Sequence, residues 1–361
     1  ADTHWLDDPD APTTVPAAGD GGAAVQAAAP SSVDAAAMRA AAAVNADRSA
    51  AREGRRHAGL DTDGHSSNAA VIGTELSRDG VPLLLGGPQM GYTVPQINHE
   101  VGLHGAGFDV TGMTIAGFPL IPIGVADGLA WTLTSGGSDN SDIFAETLNP
   151  VDPTQYLHNG EWVDMDCRIE DIPVAGLGTV SQTFCTTVHG PVIFSDDAAA
   201  YALHNVTFGS ELTSLNAWGR LGTASNIEEF AAGLPDVAYN FNVLYADDDG
   251  NFAYWHIGHI PIRADGVNPL FPTPGTGEYE WQGVLPFAQN PHSLNPDQGW
   301  LASWNNKPAP GWSNSSADFW RWGGAHRVNT FMNFLEGVER GTATTRTLEL
   351  LNRTGGWTTD T

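Results

Sequence analysis

The chain has 361 residues, 42 of them acidic and 15 basic, which leaves a formal net charge of −27 with Lys307 as its single lysine. Such a surface repels nucleic acid and anionic membranes, which carry negative charge themselves, and excludes both as partners. No apolar run approaches the ~18 residues of a membrane-spanning helix, so the length is available for a sizeable core in one large domain or two ordinary ones.

Residues 1–16 contain Trp5-Leu6-Asp7-Asp8-Pro9 and Ala11-Pro12-Thr13-Thr14. Residues 17–66 are low in complexity, rich in Ala, Asp, Arg and Gly, with an alanine-rich helical patch expected from Val33 to Arg52. A segment with so little to pack reads as an accessible, weakly anchored tether, or else as a permanent linker. At Ser67 the pattern turns to strands. Asn68 to Gly73 reads as one strand, Arg78-Asp79-Gly80 as a turn and Val81 to Leu85 as the returning strand of a hairpin. Further strands are expected at Asn98 to Leu103, Leu129 to Thr134, Gly190 to Phe194, Asn240 to Tyr245 and Asn251 to Ile257. Asp247-Asp248-Asp249-Gly250 is the turn between the last two. Ser225 is expected to cap a helix over Asn226 to Leu234. Ala325 to Leu335 places Val328, Phe331 and Leu335 on one helical face, and Thr344 to Asn352 is helix-like. Many strands with helices outside them suit an α+β layered sandwich.

Cys167 and Cys185 flank Ala175-Gly176-Leu177-Gly178 symmetrically, so a hairpin centred there would set them opposite one another. A cross-strand disulfide, which implies an oxidising compartment, and two free buried thiols both remain open. His99-Glu100 with His104 imitates a zinc-protease box, but the spacing is one residue too long and an odd separation on a strand points the two histidines to opposite faces. His256 and His259 have no cysteine or third ligand nearby in sequence and read as core or solvated histidines.

Ser67-Asn68 opens an ordered series: Gly86-Gly87-Pro88-Gln89-Met90-Gly91-Tyr92, then Val101 to Val110, Thr134-Ser135-Gly136, Asp139 to Glu146, Thr187-Val188-His189-Gly190-Pro191, Trp304-Asn305-Asn306-Lys307-Pro308 and Trp322 to Arg327. On these residues the chain resembles the penicillin acylases of the N-terminal-nucleophile hydrolase superfamily, in the penicillin G acylase branch, from about Ser67 to Arg327. The resemblance implies an αββα four-layer sandwich, incomplete in this chain, with residues 1–16 as the tail of a small subunit, 17–66 as a removable spacer and 67–361 as the first part of a large catalytic subunit. It further implies that the sequence is a fragment of a longer precursor, that the excised protein is periplasmic or secreted, and that the partner is the cleaved small subunit.

A serine freed at its amino end carries its own base, because an α-amino group has a pKa near 7.7 to 8.0 and takes the hydroxyl proton without a histidine. The resemblance places that role on Ser67, with Ser66 as the last residue cut away. It assigns Asn305 as the carboxamide and Ser135 as the main-chain N–H of the oxyanion site, Gln89 as a main-chain contact and Arg327 as an orienting arginine. Ser135 stands where the family pattern leads us to expect alanine, a change a backbone donor tolerates. Met90, Pro122 and Phe241 match the acyl pocket. Asp139, the Ser141 and Pro269 carbonyls and Asp142 match a structural Ca²⁺ site, whose later acidic ligand falls at Ser316. The activity implied is hydrolysis of N-acyl amides of the aryl-acetyl type, with acyl-homoserine lactones as an alternative substrate class. A non-catalytic acidic β-rich binding protein is the alternative outside enzymes.

Overall fold

The computed structural model describes residues 12–16, 66–90, 94–269, 271–310, 312 and 325–357. The helical patch expected over 33–52 lies outside them, as does the whole tether apart from Ser66. The first described strands are β1 (Ser66–Ile72), β2 (Leu83–Gln89), β3 (Asn98–Gly105), β4 (Phe108–Ile115), β5 (Ile123–Ala126), β6 (Leu129–Ser135) and β7 (Ser141–Thr147). A β-rich excursion follows: β8 (Gln155–His158), β9 (Glu161–Asp164), β10 (Asp166–Val174), β11 (Gly178–Thr187), β12 (Gly190–Ser195) and β13 (Ala199–Asn205). Helices α1 (Glu211–Leu221) and α2 (Ile227–Gly233) lead to β14 (Phe241–Asp247), β15 (Phe252–Ile257), β16 (Thr273–Pro274), β17 (His292–Leu294) and β18 (Trp300–Ser303). Helices α3 (Ala325–Glu336) and α4 (Thr345–Trp357) complete the described chain.

Side chains alternate across a strand, so a sheet covered on both sides needs strands that are apolar on both faces. β1 meets that requirement. Ala70 and Ile72 pack with Trp300 and Ala302 of β18 under Val328, Phe331, Leu335 and Leu351 of α3 and α4. Ala69 and Val71 face the other way, onto Leu244, Ala246, Phe252 and Tyr254 of β14 and β15. The opposite face of those two strands, Val243, Tyr245, Ala253 and Ile257, packs under Leu221 and Phe230 of α1 and α2. The layers are therefore α3 and α4, the β18-β1-β2 sheet, the β17-β15-β14-β6-β5-β4-β3 sheet, and α1 and α2. This is an α+β four-layer αββα sandwich. Fully buried Ile72, Leu244, Phe230 and Phe331 each contribute about 1.5–3 kcal/mol relative to exposure.

The third sheet has the order β10-β11-β12-β13-β7-β16, antiparallel except where β16 joins β7. In it Cys167 lies directly opposite Cys185 and the two are joined by a disulfide, which settles the open question about the thiols. No helix of the described residues is long and apolar enough to cross a membrane.

Two local expectations shift. The second hairpin strand runs from Leu83 to Gln89, not from Val81 to Leu85, and pairs Ser67 with Pro88. β2 lies at the edge of its sheet, where the missing N–H of Pro88 is tolerated, and Gly87 lets it lie close to β1, since a Cβ there would be 2.2 Å from Asn68 Oδ1. The cap of α2 is Asn226, whose Oδ1 accepts the Glu229 N–H at 2.8 Å; Ser225 sits one residue outside and donates both its N–H and its hydroxyl to the Glu229 carboxylate.

Residues 12–16 are held against the sandwich. The N–H groups of Thr14 and Val15 donate to the carbonyls of Lys307 and Pro308, and Val15 is buried between the two sheets.

Candidate active site

Ser67 is the second residue of β1, at the end of the sandwich where β2 finishes at Gln89, β18 finishes at Ser303, β6 finishes at Ser135 and β14 begins at Phe241. Asn305 follows β18 with φ of 57°, a left-handed conformation that asparagine accepts more readily than most side chains. Its neighbours fix its direction. Trp304 is buried with its ring 4.7 Å from that of Phe331, and Asn306 accepts the Trp304 N–H at 2.9 Å while donating to the Thr14 hydroxyl at 3.2 Å. The Asn305 carboxamide then bridges two strands. Its Oδ1 accepts the Ser67 N–H at 2.9 Å and its Nδ2 donates to the Ser135 carbonyl at 3.0 Å. Ser67 is still joined to Ser66 within β1, so its nitrogen is an amide here and has no basicity.

The Ser135 carbonyl is held from behind by a relay absent from the sequence reading. Asn242 Nδ2 donates to it at 3.0 Å and also to Thr134 Oγ1 at 3.0 Å. Asn242 Oδ1 in turn accepts from the Tyr254 hydroxyl at 2.6 Å and from His256 Nδ1 at 2.7 Å. His256 Nε2 lies 2.6 Å from Ser138 Oγ, which accepts Trp312 Nε1–H at 2.8 Å. Complete burial pushes the His256 pKa down to about 3, so the ring is neutral. Neutrality fixes the direction of the relay: Nδ1 donates to Asn242, Nε2 accepts from the Ser138 hydroxyl and from Asn240 Nδ2 at 3.1 Å, and the chain of donors from Trp312 through Ser138, His256 and Asn242 ends on the Ser135 carbonyl. The reading of His256 as a core histidine holds; its position beside the site is new. The one legible signal was its place on a strand paired, residue for residue, with Asn242.

The structure thus brings together Ser67, Gln89, Ser135 and Asn305. Phe241 is paired with Ser135 and packs edge-on against Trp218 at 6.2 Å, and exposed Met90 follows Gln89 directly. Pro122 precedes β5, at the sheet end that β6 reaches with Ser135. Arg327 lies in the first turn of α3, and its side chain falls outside the described residues.

The acidic loop is a separate place. Asp139, Ser141 and Asp142 are buried where the chain enters β7, and Pro269 is buried as well. Arg263 Nη2 lies 2.7 Å from Asp139 Oδ2, and its Nε donates to Asp142 Oδ2 at 2.8 Å, where Trp281 Nε1 donates at 2.6 Å. Asp142 Oδ1 is buried without a hydrogen-bond partner among the described residues. One arginine against two carboxylates leaves a negative charge, and a buried acceptor oxygen fits a hard cation such as Ca²⁺. Ser316 lies outside the described residues.

Comparison with known proteins is consistent with this geometry. The family model for penicillin amidase matches residues 17–354. The chain is 40% identical over 280 residues to penicillin G acylase of Escherichia coli, covering 77% of this chain and 33% of that protein. It is 30% identical over 254 residues to the acyl-homoserine lactone acylase QuiP of Pseudomonas fluorescens, covering 68% and 31%. Among solved structures, the thermostable penicillin G acylase of Alcaligenes faecalis superposes with a TM-score of 0.74 at 35% identity, over 80% of this chain and 52% of that one. The chain spans about a third of the length of the curated relatives it matches.

Proposed function

The chain belongs to the penicillin amidase family, whose members hydrolyse amide bonds, and from that premise we propose that it is the nucleophile-bearing part of an N-acyl amide hydrolase activated by cleavage between Ser66 and Ser67. The observation that carries this reading is the Asn305 carboxamide lying between the Ser67 nitrogen and the Ser135 carbonyl. In the precursor, the Ser67 hydroxyl attacks the Ser66 carbonyl, the acyl group passes from nitrogen to oxygen and frees the Ser67 amine, and water then hydrolyses the ester, releasing the Ser66 carboxylate and restoring the hydroxyl. Asn305 Oδ1 already faces this nitrogen and keeps accepting from it after cleavage, which steers the amine lone pair toward the hydroxyl.

In turnover the amine takes the Ser67 proton as Oγ attacks the substrate carbonyl. Negative charge gathers on the carbonyl oxygen, and neutral donors suit it because they add no competing charge. One N–H of Asn305 is committed to the Ser135 carbonyl; the other, with the Ser135 N–H, supplies the oxyanion site. Collapse returns the proton to the leaving amine and leaves an ester on Ser67 that water hydrolyses. Ca²⁺, where bound, would be held by Asp142 with Asp139 and the Ser141 and Pro269 carbonyls, and supplies charge balance in the acidic loop; no step of hydrolysis uses it.

Met90, Pro122 and Phe241 form an apolar rim suited to aryl-acetyl groups, and the higher identity to a penicillin G acylase favours these over acyl-homoserine lactones. The docked 12–16 segment supports residues 1–16 as a tail retained after the tether is removed, and the disulfide suits an oxidising compartment outside the cytosol. Ser67→Ala in the full-length precursor tests the core of this reading. We expect an uncut chain by mass spectrometry and no hydrolysis of phenylacetamides; normal processing in that variant overturns it, and preference for an acyl-homoserine lactone over phenylacetamide overturns the substrate assignment alone.

A further inference from the structure

The six-stranded sheet buries a second titratable cluster that amide hydrolysis leaves unused. Glu146 on β7 is fully buried, and its Oε1 accepts from the Thr187 hydroxyl at 2.6 Å and from His189 Nδ1 at 2.7 Å. His189, just ahead of β12, is stacked on Phe144 with ring centroids 3.8 Å apart, and its carbonyl accepts from His204 Nδ1 at 2.7 Å. The stacking and the bond from Nδ1 to Glu146 hold the ring, and the His204 contact holds its backbone. Its other nitrogen, Nε2, faces Glu280 Oε1 at 2.9 Å. His158, the last residue of β8, completes the group: one ligand atom from each of His158, His189 and Glu280 lies within 4.8 Å of the others.

The supporting atoms select the tautomers. Glu146 takes the Nδ1 hydrogen of His189, and the Gly275 carbonyl takes the Nδ1 hydrogen of His158 at 3.3 Å. Each ring then presents Nε2 as a lone pair, the arrangement in which a carboxylate or carbonyl orients a metal-binding imidazole. Gly275 is needed for the approach, because a Cβ there would lie 2.1 Å from Glu146 Oε2. With Nδ1 donating to Glu146, His189 Nε2 faces Glu280 Oε1 at 2.9 Å, a pairing that either a second ring proton or a bound cation bridges.

We propose that His158, His189 and Glu280 bind one zinc-class divalent ion, with Glu146 and the Gly275 carbonyl as the groups that orient the ligands. Zinc–ligand bonds of about 2.0–2.2 Å in a tetrahedron set ligand atoms roughly 3.3 Å apart, so the His189–Glu280 pair has to open by only a few tenths of an ångström. The Glu280 side chain is 44% exposed, which gives the ion a way in and leaves a fourth position for water. Imidazole nitrogens favour zinc over calcium, and the cluster is distinct from the acidic loop, since Glu146 lies four residues, roughly 13 Å, along β7 from Asp142. The ion would tie β8 and the 275–280 loop to β7 and β12, bracing the excursion without touching the Ser67 site.

The test uses the purified, tag-free full-length protein stripped with EDTA and titrated with Zn²⁺ alone by calorimetry, with Co²⁺ as the spectroscopic probe. We expect one Zn²⁺ per chain, visible bands of tetrahedral Co²⁺, and a higher melting temperature with metal. His158→Ala and Glu280→Gln should each weaken Zn²⁺ binding by at least about 10- to 100-fold, the loss that follows even from removing a supporting group. Glu280→Gln keeps an acceptor for His189 but removes the anionic ligand, and both side chains are partly exposed, so melting without metal shows whether the variants fold. Absence of stoichiometric binding in the parent protein, or equal binding in folded Glu280→Gln, overturns the site and leaves a proton-bridged ion pair.

Discussion

Two buried histidines mark two regions built on opposite electrostatic rules. His256, inside the αββα sandwich, is surrounded by carboxamides and hydroxyls, and burial keeps it uncharged. His189, in the six-stranded sheet, lies between two carboxylates; burial alone would lower its pKa, but hydrogen bonds and charge from Glu146 and Glu280 raise it above the ordinary value. Asp139, Asp142 and Arg263 belong to the same charged region. A site that must stabilise negative charge as it develops gains from neutral donors already aimed at one carbonyl. A sheet that only has to stay folded can bury full charges, provided each meets its opposite.

That contrast predicts unequal responses to mutation. The largest effect is expected in the charged region: Arg263→Met leaves Asp139 and Asp142 without their guanidinium, and breaking a buried pair typically destabilises by about 3–5 kcal/mol. Denaturant unfolding in calcium-free buffer measures this, and CaCl₂ is expected to restore part of it; stability unchanged in both buffers would remove the loop from the charged framework. Next is Asn305→Ala in the neutral region, where losing one oxyanion donor should lower kcat by about 10²- to 10³-fold, or roughly 3–4 kcal/mol, with little change in melting temperature. Equal kcat in parent and variant would mean that the carboxamide positions backbone only.

The parts legible in sequence were local. Many strands with helices outside them announced a layered sandwich, and the Trp304-Asn305-Asn306 run carried the resemblance that singled out the Asn305 carboxamide. β10 and β11 are exposed along most of their length, so no alternation betrayed them, and only the symmetric cysteines pointed to their hairpin. Other features depend on tertiary proximity. Ser138 and Trp312 are 174 residues apart and His189 and Glu280 are 91 apart, separations at which spacing carries no signal. Asn242 and His256 were each visible as strand residues, but their joint role requires the β14–β15 register.

The neutral relay itself sets the smallest of the three effects, and its sign separates it from the charged region. The pKa of His256 is about 3 in the folded chain against an ordinary 6.5, so protons bind the unfolded state more readily. The stability contributed by the neutral ring is therefore fully present above pH 6.5 and is lost as pH falls toward 3. With a limiting slope of about 1.4 kcal/mol per pH unit, the loss between pH 6.5 and 5 is roughly 2 kcal/mol. His256→Gln retains an N–H for Asn242 and an acceptor for Ser138 but has no proton to gain, so its unfolding free energy should fall about 2 kcal/mol less than the parent's across the same interval. Because the ring stays neutral in the folded chain over that interval, the Asn242 contact to the Ser135 carbonyl persists and only the unfolding free energies should diverge; parallel slopes of unfolding free energy in both proteins would show that the acid sensitivity arises in the carboxylate-rich sheet instead.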